Sequence, residues 1–336
     1  MTVAALKTLK SHIGDNHAAS KAPVKLESSF QSGIFIDKEQ EKTCKLMVSQ
    51  LSENEIEHAA RTSYGYFVAV LESKNDPSKS KPSDEQRQFL AMRMARRHLV
   101  AENGDAKLAL KKMKSTIEYR QSVNVDDIRL AFYESKSSNE ERNQELAHIR
   151  QQITKQLETG KFYVCGYDRR GTATFVGVAR CNNSDDPEWY IKANIYTLER
   201  ALAATEQKTN GKEEKICAVF DYNGYTSANA PPISLTRELL YGLKDHYPER
   251  LQHVFVIDAP VVFRGFWYLV KPFLDAVTKK KVQFVTGSHE KELILGPVFS
   301  KDQAMDFMFS DGEKTKPLDL HQYLYKISFD KAYEEN

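Results

Sequence analysis

The sequence predicts an α/β protein in which a mostly parallel sheet with flanking helices follows a small all-helical segment. Three short apolar runs, at 216–220, 254–257 and 282–285, lack polar alternation. Such runs are typical of strands covered on both faces. Two segments of helical character, 234–247 and 261–274, separate them. The resulting order of strand, helix, strand, helix, strand favours a parallel sheet with right-handed crossovers.

The N-terminal half predicts helices and polar connections. Residues 1–40 mix Ser, Lys, Ala and Gly with little periodicity, which indicates a flexible leader. A helical segment is predicted at 41–133, and its pattern turns helical twice between 85 and 120, as in a helical hairpin. The α/β domain is predicted at 134–300. The C-terminal extension, 301–336, contains no motif that indicates a function.

A polar stretch and a hairpin are predicted to open the α/β domain. Residues 134–143 are polar and charged, which favours a linker or the edge of a helix. The β-prone runs 162–164 and 174–178 flank the turn-forming segment Asp168-Arg169-Arg170-Gly171. This arrangement predicts two antiparallel strands before the parallel ones.

Composition narrows the function classes. The 336 residues suffice for one α/β core with a helical attachment, and the formal charge of +2 argues against a nucleic-acid surface. The four cysteines and nine histidines show no metal-ligand spacing, so we predict no metal, no cofactor and reduced thiols in the cytoplasm. No apolar signal segment begins the chain, and Arg264 and Lys271 interrupt its most apolar later stretch. We expect a cytoplasmic protein that visits membranes from the aqueous side.

Common catalytic motifs are absent from the sequence: there is no GxGxxG after a strand, no GxxxxGK[ST] and no GxSxG. Asp221 and Asp258 each follow an apolar run, where many α/β enzymes place catalytic or metal-binding carboxylates. An aspartate at that position also starts a turn or caps the next segment. We favour the turn interpretation and keep a metal-dependent enzyme as the alternative.

A basic run stands directly before the last predicted strand. Lys281 ends the sequence Thr278-Lys279-Lys280-Lys281 and precedes a strand that we expect to be buried. An ammonium there needs an anionic partner or access to water. A phosphate would meet that need, whereas the simpler interpretation is a solvated loop.

The segment 263–274 is unusually apolar for a helix. Its stripe at helical spacing comprises Phe263, Phe266 or Trp267, Val270, and Phe273 or Leu274. Tyr268 widens the apolar face beyond what packing on a sheet requires. The helix is therefore either fully buried or closes an apolar cavity and meets a membrane when it opens.

Five segments in this order resemble the CRAL-TRIO domain of yeast-type phosphatidylinositol transfer proteins. They are Asp221-Tyr222-Asn223-Gly224, His246-Tyr247-Pro248-Glu249-Arg250, Val256-Ile257-Asp258-Ala259-Pro260, Val270-Lys271-Pro272-Phe273-Leu274-Asp275 and Val277-Thr278-Lys279-Lys280-Lys281-Val282. The helical hairpin from about residue 85 is similar to the N-terminal segment of that family. The resemblance implies a CRAL-TRIO-like fold with a gated lipid cavity, whose gate helix is 261–274.

The resemblance also implies a headgroup site. In members of the family that bind phosphatidylinositol, a Glu of the YPER-like motif, a Thr and a Lys hold the headgroup, and these match Glu249, Thr278 and Lys281. The chemistry is consistent: Lys281 offers charge to a phosphate, Thr278 offers a hydroxyl donor, and Glu249 can accept from inositol hydroxyls or orient the lysine.

Two departures from the family pattern limit the implied site. The basic RxxRAR-like run reads Arg93, Arg96, Arg97 and His98 here, so the arginine that assists the headgroup has no certain equivalent. Ile216 and Ala218 stand where choline-lipid binders carry hydroxyl groups, which argues against phosphatidylcholine exchange by that route.

We therefore expect a soluble protein, without catalytic activity, that binds phosphatidylinositol and exchanges it with membranes. A carrier of another hydrophobic ligand, such as an isoprenoid, a sterol or a tocopherol-like molecule, keeps the fold but changes the ligand. A metal-dependent enzyme that uses Asp221 or Asp258 is the third hypothesis. The expected partners are a phospholipid, a transient membrane surface and a lipid kinase, with a monomeric protein and no nucleic acid.

Overall fold

One mixed sheet organises the molecule. A computed structural model describes residues 35–133, 139–301, 304–310 and 314–334. The strands, in both chain order and spatial order, are β1 Phe162–Tyr167, β2 Ala173–Val178, β3 Ile216–Asp221, β4 Leu251–Ile257 and β5 Val282–Val285. The pair β1 and β2 is antiparallel and every later pair is parallel. The predicted hairpin and the predicted mostly parallel sheet are both confirmed.

Helices precede the sheet and connect its strands. They are α1 Lys38–Val48, α2 Glu53–Ala60, α3 Tyr64–Asn75, α4 Asp84–Ala101, α5 Ala106–Ser122, α6 Val125–Leu130, α7 Glu140–Leu157, α8 Pro187–Lys208, α9 Ile233–His246, α10 Phe263–Val270, α11 Ala276–Lys281 and α12 Gly287–Leu295. The segment predicted as one helix at 261–274 becomes α10 followed by a 3-10 turn, Lys271–Phe273. Pro272 lies within that turn, where its missing N–H interrupts α-helical hydrogen bonding.

The two faces of the sheet bury different layers. On one face α8 packs against β1, β2 and β3. There Val219, Phe255 and Ile257 belong to the largest core of the molecule. On the other face alternate residues such as Ala218 and Val256 form a second, smaller cluster with α10. Because side chains alternate along a strand, each strand contributes to both layers.

The last strand differs from its prediction. We expected residues 282–285 to be covered on both faces, but β5 has only β4 as a neighbour in the sheet. Its burial is partial, and 42% of Phe284 is exposed. An apolar run alone does not distinguish a central strand from an edge strand whose apolar side chains are only partly buried.

The N-terminal helices form two groups. Helices α1, α2, α4 and α5 share a small core of their own, as the predicted helical segment requires. Tyr64 and Phe67 of α3 instead join the largest core, as do Val125 and Ile128 of α6. Packing thus crosses the predicted boundary at 133/134, and the division into domains stays a prediction.

Several predicted segments fall partly outside the described residues. Of the predicted leader 1–40, residues 1–34 lie outside them, and α1 begins at Lys38 within it. Residues 134–138 of the predicted linker also lie outside, and α7 begins at Glu140. In the part of the chain that the structure describes, no helix combines the length and the apolar character that crossing a bilayer requires.

Candidate functional site

The predicted headgroup residues lie at the edge of the sheet where the parallel strands begin. Glu249 comes two residues before β4, and Lys281 comes directly before β5. Glu249 Oε2 lies 3.2 Å from Nζ of Lys215, the residue before β3. Nζ of Lys281 donates to the carbonyl oxygen of Leu251 at 2.7 Å. Because parallel strands start at the same edge, these charged residues are brought together from distant parts of the chain.

Electrostatics links Lys281 to this cluster. Burial lowers the pKa of the Lys281 ammonium, the nearby Glu249 carboxylate raises it, and Lys215 lowers it again. The net direction is downward. A bound anion would favour the charged form of Lys281, because an opposite charge nearby raises the pKa of an ammonium.

Thr278 reaches the same region on α11, where it takes part in the helix cap. The Asp275 carboxylate caps α11 by accepting from the backbone N–H groups of Val277 and Thr278. The Thr278 hydroxyl donates to Asp275 Oδ2 at 2.7 Å. The donor role predicted for Thr278 would therefore require its hydroxyl to leave Asp275, whereas its oxygen can still accept.

A second cationic cluster adjoins the first. Four arginines surround the Glu214 carboxylate. Arg96 Nη2 lies at 3.0 Å and Arg97 Nη1 is in hydrogen-bond contact, while Arg93 Nε lies at 3.2 Å and Arg250 Nη1 at 3.7 Å as ion pairs. Burial raises the pKa of Glu214, but these four guanidinium groups outweigh burial and hold it well below its usual range. Three of these arginines, Arg93, Arg96 and Arg97, belong to the basic run in which the sequence did not identify a headgroup arginine. Its arginines bind a carboxylate directly beside Lys215.

The inner face of α10 closes on the second face of the sheet. Phe263 and Val270 are buried, and the Phe263 ring lies 4.2 Å from that of Tyr222. The Trp267 ring lies 5.2 Å from Phe284 of β5. The remaining predicted cavity residues are half-buried, namely Phe266, Trp267, Phe273 and Leu274. The layer between α10 and the sheet therefore retains partly exposed apolar surface.

The outer side of α10 is also apolar. Tyr268 is 80% exposed and Leu269 is 53% exposed, and Val261, two residues before the helix begins, is 74% exposed. The expectation that Tyr268 shares one face with Phe263 and Trp267 is wrong, because Tyr268 points to solvent. A helix that is apolar on both sides and open on one of them differs from an ordinary surface helix. Arg264 and Lys271, seven residues apart, add positive charge to the open side.

Comparison with known proteins identifies the domain that these elements build. Residues 157–305 match the family model of the CRAL/TRIO domain. This stretch of the chain is a CRAL/TRIO domain. The resemblance stated from the sequence is thereby confirmed.

Two relatives of this chain are named as phosphatidylinositol transfer proteins, and a third is named as a cytosolic factor. The phosphatidylinositol transfer protein PDR17 of Saccharomyces cerevisiae is 30% identical over 137 residues, which are 39% of this chain and 38% of that protein. The phosphatidylinositol transfer protein CSR1 of Eremothecium gossypii is 29% identical over 143 residues, 42% of this chain and 31% of that protein. The SEC14 cytosolic factor of the same organism is 35% identical over 94 residues, 28% of this chain and 30% of that protein. The matches therefore span well under half of each relative.

A solved structure shares the fold of this chain over a longer range. The crystal structure of Sfh5 superposes with a TM-score of 0.55, covering 86% of this chain and 96% of that one. The sequence identity is 16%, so the likeness concerns the fold alone. It includes the helices that precede the CRAL/TRIO domain, since the domain match begins only at residue 157.

The two aspartates at the opposite edge of the CRAL/TRIO sheet have structural partners. Asp221 is fully buried and binds Arg180, and its Oδ2 accepts from the Thr315 hydroxyl at 3.1 Å. Asp258 Oδ2 lies 2.7 Å from Nζ of the fully buried Lys291. Within the described ranges no group of three His, Cys, Asp or Glu side chains is arranged to hold a metal ion. These contacts support the turn interpretation, as does Asn223 N, which donates to Asp221 Oδ1 at 2.9 Å.

Sequence reasoning did not single out Lys215 or Glu214. Both belong to the polar connection between α8 and β3, and the helix itself was not predicted. A signal was present, because Lys215 precedes a buried strand just as Lys281 does. Applying the same argument to every strand start would have found it.

Proposed function

We propose that this chain binds phosphatidylinositol, with the headgroup at Glu249, Thr278 and Lys281 and the acyl chains against the inner face of α10. The observation that carries the proposal is the charged cluster at the start of β4 and β5, next to an apolar layer that is incompletely buried. The names of the relatives PDR17 and CSR1 support the same ligand class. Asp221 and Asp258 are committed to ion pairs, so we propose binding and exchange rather than catalysis.

The energy for binding would come from the acyl chains. Burying one methylene contributes about 0.8 kcal/mol, so two chains supply ample affinity without a strong headgroup contact. Phe284, Phe266 and Trp267 would then gain the cover that they lack. The headgroup contacts would select among lipids rather than supply most of the affinity.

We further propose that α10 is the gate through which the lipid exchanges. Its exposed outer side, with Val261, Tyr268 and Leu269, suits the interface of a bilayer, where aromatic and aliphatic side chains insert. The cytoplasm is the proposed location, in agreement with the name of the relative SEC14 cytosolic factor. A monomer that presents its lipid to a lipid kinase remains part of this proposal.

The decisive experiment is to identify the lipid that co-purifies with the protein from eukaryotic cells. We expect organic extraction and mass spectrometry to return phosphatidylinositol at close to one molecule per chain. Recovery of a sterol, an isoprenoid or a tocopherol-like molecule instead would overturn the phosphatidylinositol assignment while keeping the carrier function. A metal-dependent turnover that Asp221→Asn abolishes would overturn the proposal of a non-enzyme.

A further inference from the structure

One carboxylate at the amino edge of the sheet stands between two ammonium groups. Glu249 forms an ion pair with Lys215 at 3.2 Å and also raises the pKa of Lys281. Lys215 in turn lowers that pKa, which places the two lysines within electrostatic reach of each other. Lys215, Glu249 and Lys281 together carry one more positive than negative charge, and Asp275 is a further carboxylate within electrostatic reach of Lys281.

The lysines are placed to change partners. The Lys215 side chain is 34% exposed and that of Glu249 is 23% exposed, so neither is locked in the core. One of the three N–H groups of the Lys281 ammonium is directed to the Leu251 carbonyl. A partly exposed ion pair of this kind contributes about 1 kcal/mol, so a ligand can replace it at small cost.

The backbone at Glu249 is unusual for a non-glycine residue. Its φ is 58°, in the left-handed region, which for most residues costs about 1 kcal/mol or more. The adjacent backbone holds Glu249 in this conformation. Ile216 N donates to the Arg250 carbonyl at 2.8 Å, and the Arg250 guanidinium donates to the Glu214 carbonyl. Such conformations cluster at ligand sites, where they fix the direction of a side chain. Here the conformation places the Glu249 carboxylate opposite Lys215.

We propose that Lys215 is a further phosphate-binding residue of this site, paired with Glu249 in the free protein and transferred to the lipid phosphate when the headgroup enters. The inference rests on the proposed function, because it adds a residue to the same headgroup site. In the complex Lys215 and Lys281 bind the phosphodiester from two strands, and Glu249 accepts from the polyol hydroxyls. The ligand class is a lipid with an anionic phosphodiester and a hydroxyl-rich headgroup.

The test replaces Lys215 by Met and follows loading from phosphatidylcholine vesicles that carry fluorescent phosphatidylinositol. We expect Lys215→Met to weaken loading about tenfold, as expected for the loss of a hydrogen bond from a charged group. Lys212→Met is the matched control, since Lys212 is exposed in the same connection and should load as the parent does. Lys215→Arg keeps the charge and should restore most of the loading.

A second readout separates ligand contact from a structural role. The phosphorus-31 resonance of the bound lipid should shift in Lys215→Met and stay unchanged in Lys212→Met. A purely structural ion pair predicts that Lys215→Met changes the melting temperature and leaves that resonance in place, which would overturn the inference. Lys215→Gln serves the same purpose if the Met variant folds poorly.

Comparison with Lys281→Ala distinguishes a failure of the role of Lys215 from a failure of the headgroup site as a whole. If Lys281→Ala loses loading and Lys215→Met keeps it, the role of Lys215 is refuted and the headgroup site stands. If both variants load phosphatidylinositol as well as the parent, the headgroup site itself is wrong and the proposed function fails with it.

Discussion

The two edges of the parallel sheet use charge in opposite ways. At the carboxyl edge, where β3 and β4 end, Asp221 and Asp258 each form an ion pair with a cationic side chain. At the amino edge, where β4 and β5 begin, the one carboxylate of Glu249 stands with two ammonium groups, those of Lys215 and Lys281. All three side chains are partly exposed. The first edge is closed by protein groups, and we call the second, where we propose that the ligand binds, the open edge.

The C-terminal extension is what closes the carboxyl edge. Lys291 donates to the carbonyl oxygens of Phe307 and Ser310, besides its ion pair with Asp258. Thr315 binds Asp221. The segment that carried no motif in the sequence thus contributes hydrogen bonds at this edge, whereas the cations that pair with Asp221 and Asp258 are Arg180 and Lys291, which precede it.

The extension continues beyond that edge into the core. The Arg200 guanidinium lies 3.9 Å from the centre of the Tyr323 ring and donates to the Ile327 carbonyl. Tyr333 then pairs with β1 as an isolated bridge at Cys165. A polar or aromatic residue without a sequence motif can therefore be essential to packing. Whether a charged residue is functional depends on its partners, which only the structure supplies.

The largest effect that we expect is on stability, at the closed edge. Asp221→Asn removes a buried charge opposite Arg180 and should lower the free energy of unfolding by about 3 kcal/mol, because an unpaired buried charge remains. Urea denaturation measures this change. Glu188→Gln is the control, since the exposed pair of Glu188 with Lys192 should contribute less than about 1 kcal/mol. Unchanged stability would remove the structural role that we assign to this edge.

At the open edge the effect should fall on ligand loading. Lys281→Ala should weaken phosphatidylinositol loading tenfold or more while the protein stays folded, because a charge-assisted phosphate contact is lost. Loading from labelled vesicles and circular dichroism measure the two quantities. Lys280→Ala is the control, as Lys280 is the exposed neighbour. If Lys281→Ala loads like the parent, a sterol or isoprenoid ligand becomes the better hypothesis.

Loading at the open edge should also depend on pH. The phosphate contact needs the charged ammonium, which exists below the Lys281 pKa, and burial lowers that pKa from its ordinary 10.5. Loading should therefore fall as the pH rises toward 10.5, and fall earlier than an ordinary lysine would produce. Lys281→Arg should remove the early part of this decline, because a guanidinium stays charged throughout. An early decline that persists in Lys281→Arg would assign it to another group.

The gate helix allows a comparison of two faces of one element. Trp267→Gln on the inner face should slow lipid exchange and weaken vesicle binding with near-parental melting. Tyr268→Gln, on the exposed outer side, should weaken vesicle binding by a smaller factor and leave melting unchanged. Trp267 fluorescence should shift blue on adding vesicles, measured in a Trp189→Phe background because Trp189 is the other tryptophan. Collapse of thermal stability in Trp267→Gln without a fluorescence change would place this helix in the permanent core.

The sequence predicted those features of the fold that local patterns of apolar residues encode. The runs at 216–220 and 254–257 predicted two central strands correctly, since burial on both faces leaves a continuous apolar run. The run at 282–285 was found as a strand, but its position at an edge depends on strand order, which periodicity does not encode. Tyr268 was assigned to the wrong face because the sequence pattern does not show whether an apolar side chain faces the core or solvent.

The site shows the same limit. Glu249, Thr278 and Lys281 were named through the resemblance, and their role in the headgroup site stays a prediction. Lys215 was missed because its partner Glu249 lies 34 residues away in sequence. Pairing across parallel strands is set by the crossover, so two charges at the starts of different strands meet only once the topology is known.

The smallest effect that we expect concerns the Thr278 hydroxyl at the open edge. The Thr278 hydroxyl already donates to Asp275 Oδ2 at 2.7 Å, so it offers the lipid only a lone pair unless the cap of α11 rearranges. Thr278→Val should therefore weaken phosphatidylinositol loading by only about threefold, less than Lys281→Ala, since a neutral hydrogen bond contributes about 1 kcal/mol or less. Thr278→Ser keeps the hydroxyl and should load as the parent does. If Thr278→Val is instead as damaging as Lys281→Ala, the hydroxyl must leave Asp275 when the headgroup binds, and the open edge is then an edge that rearranges around its ligand.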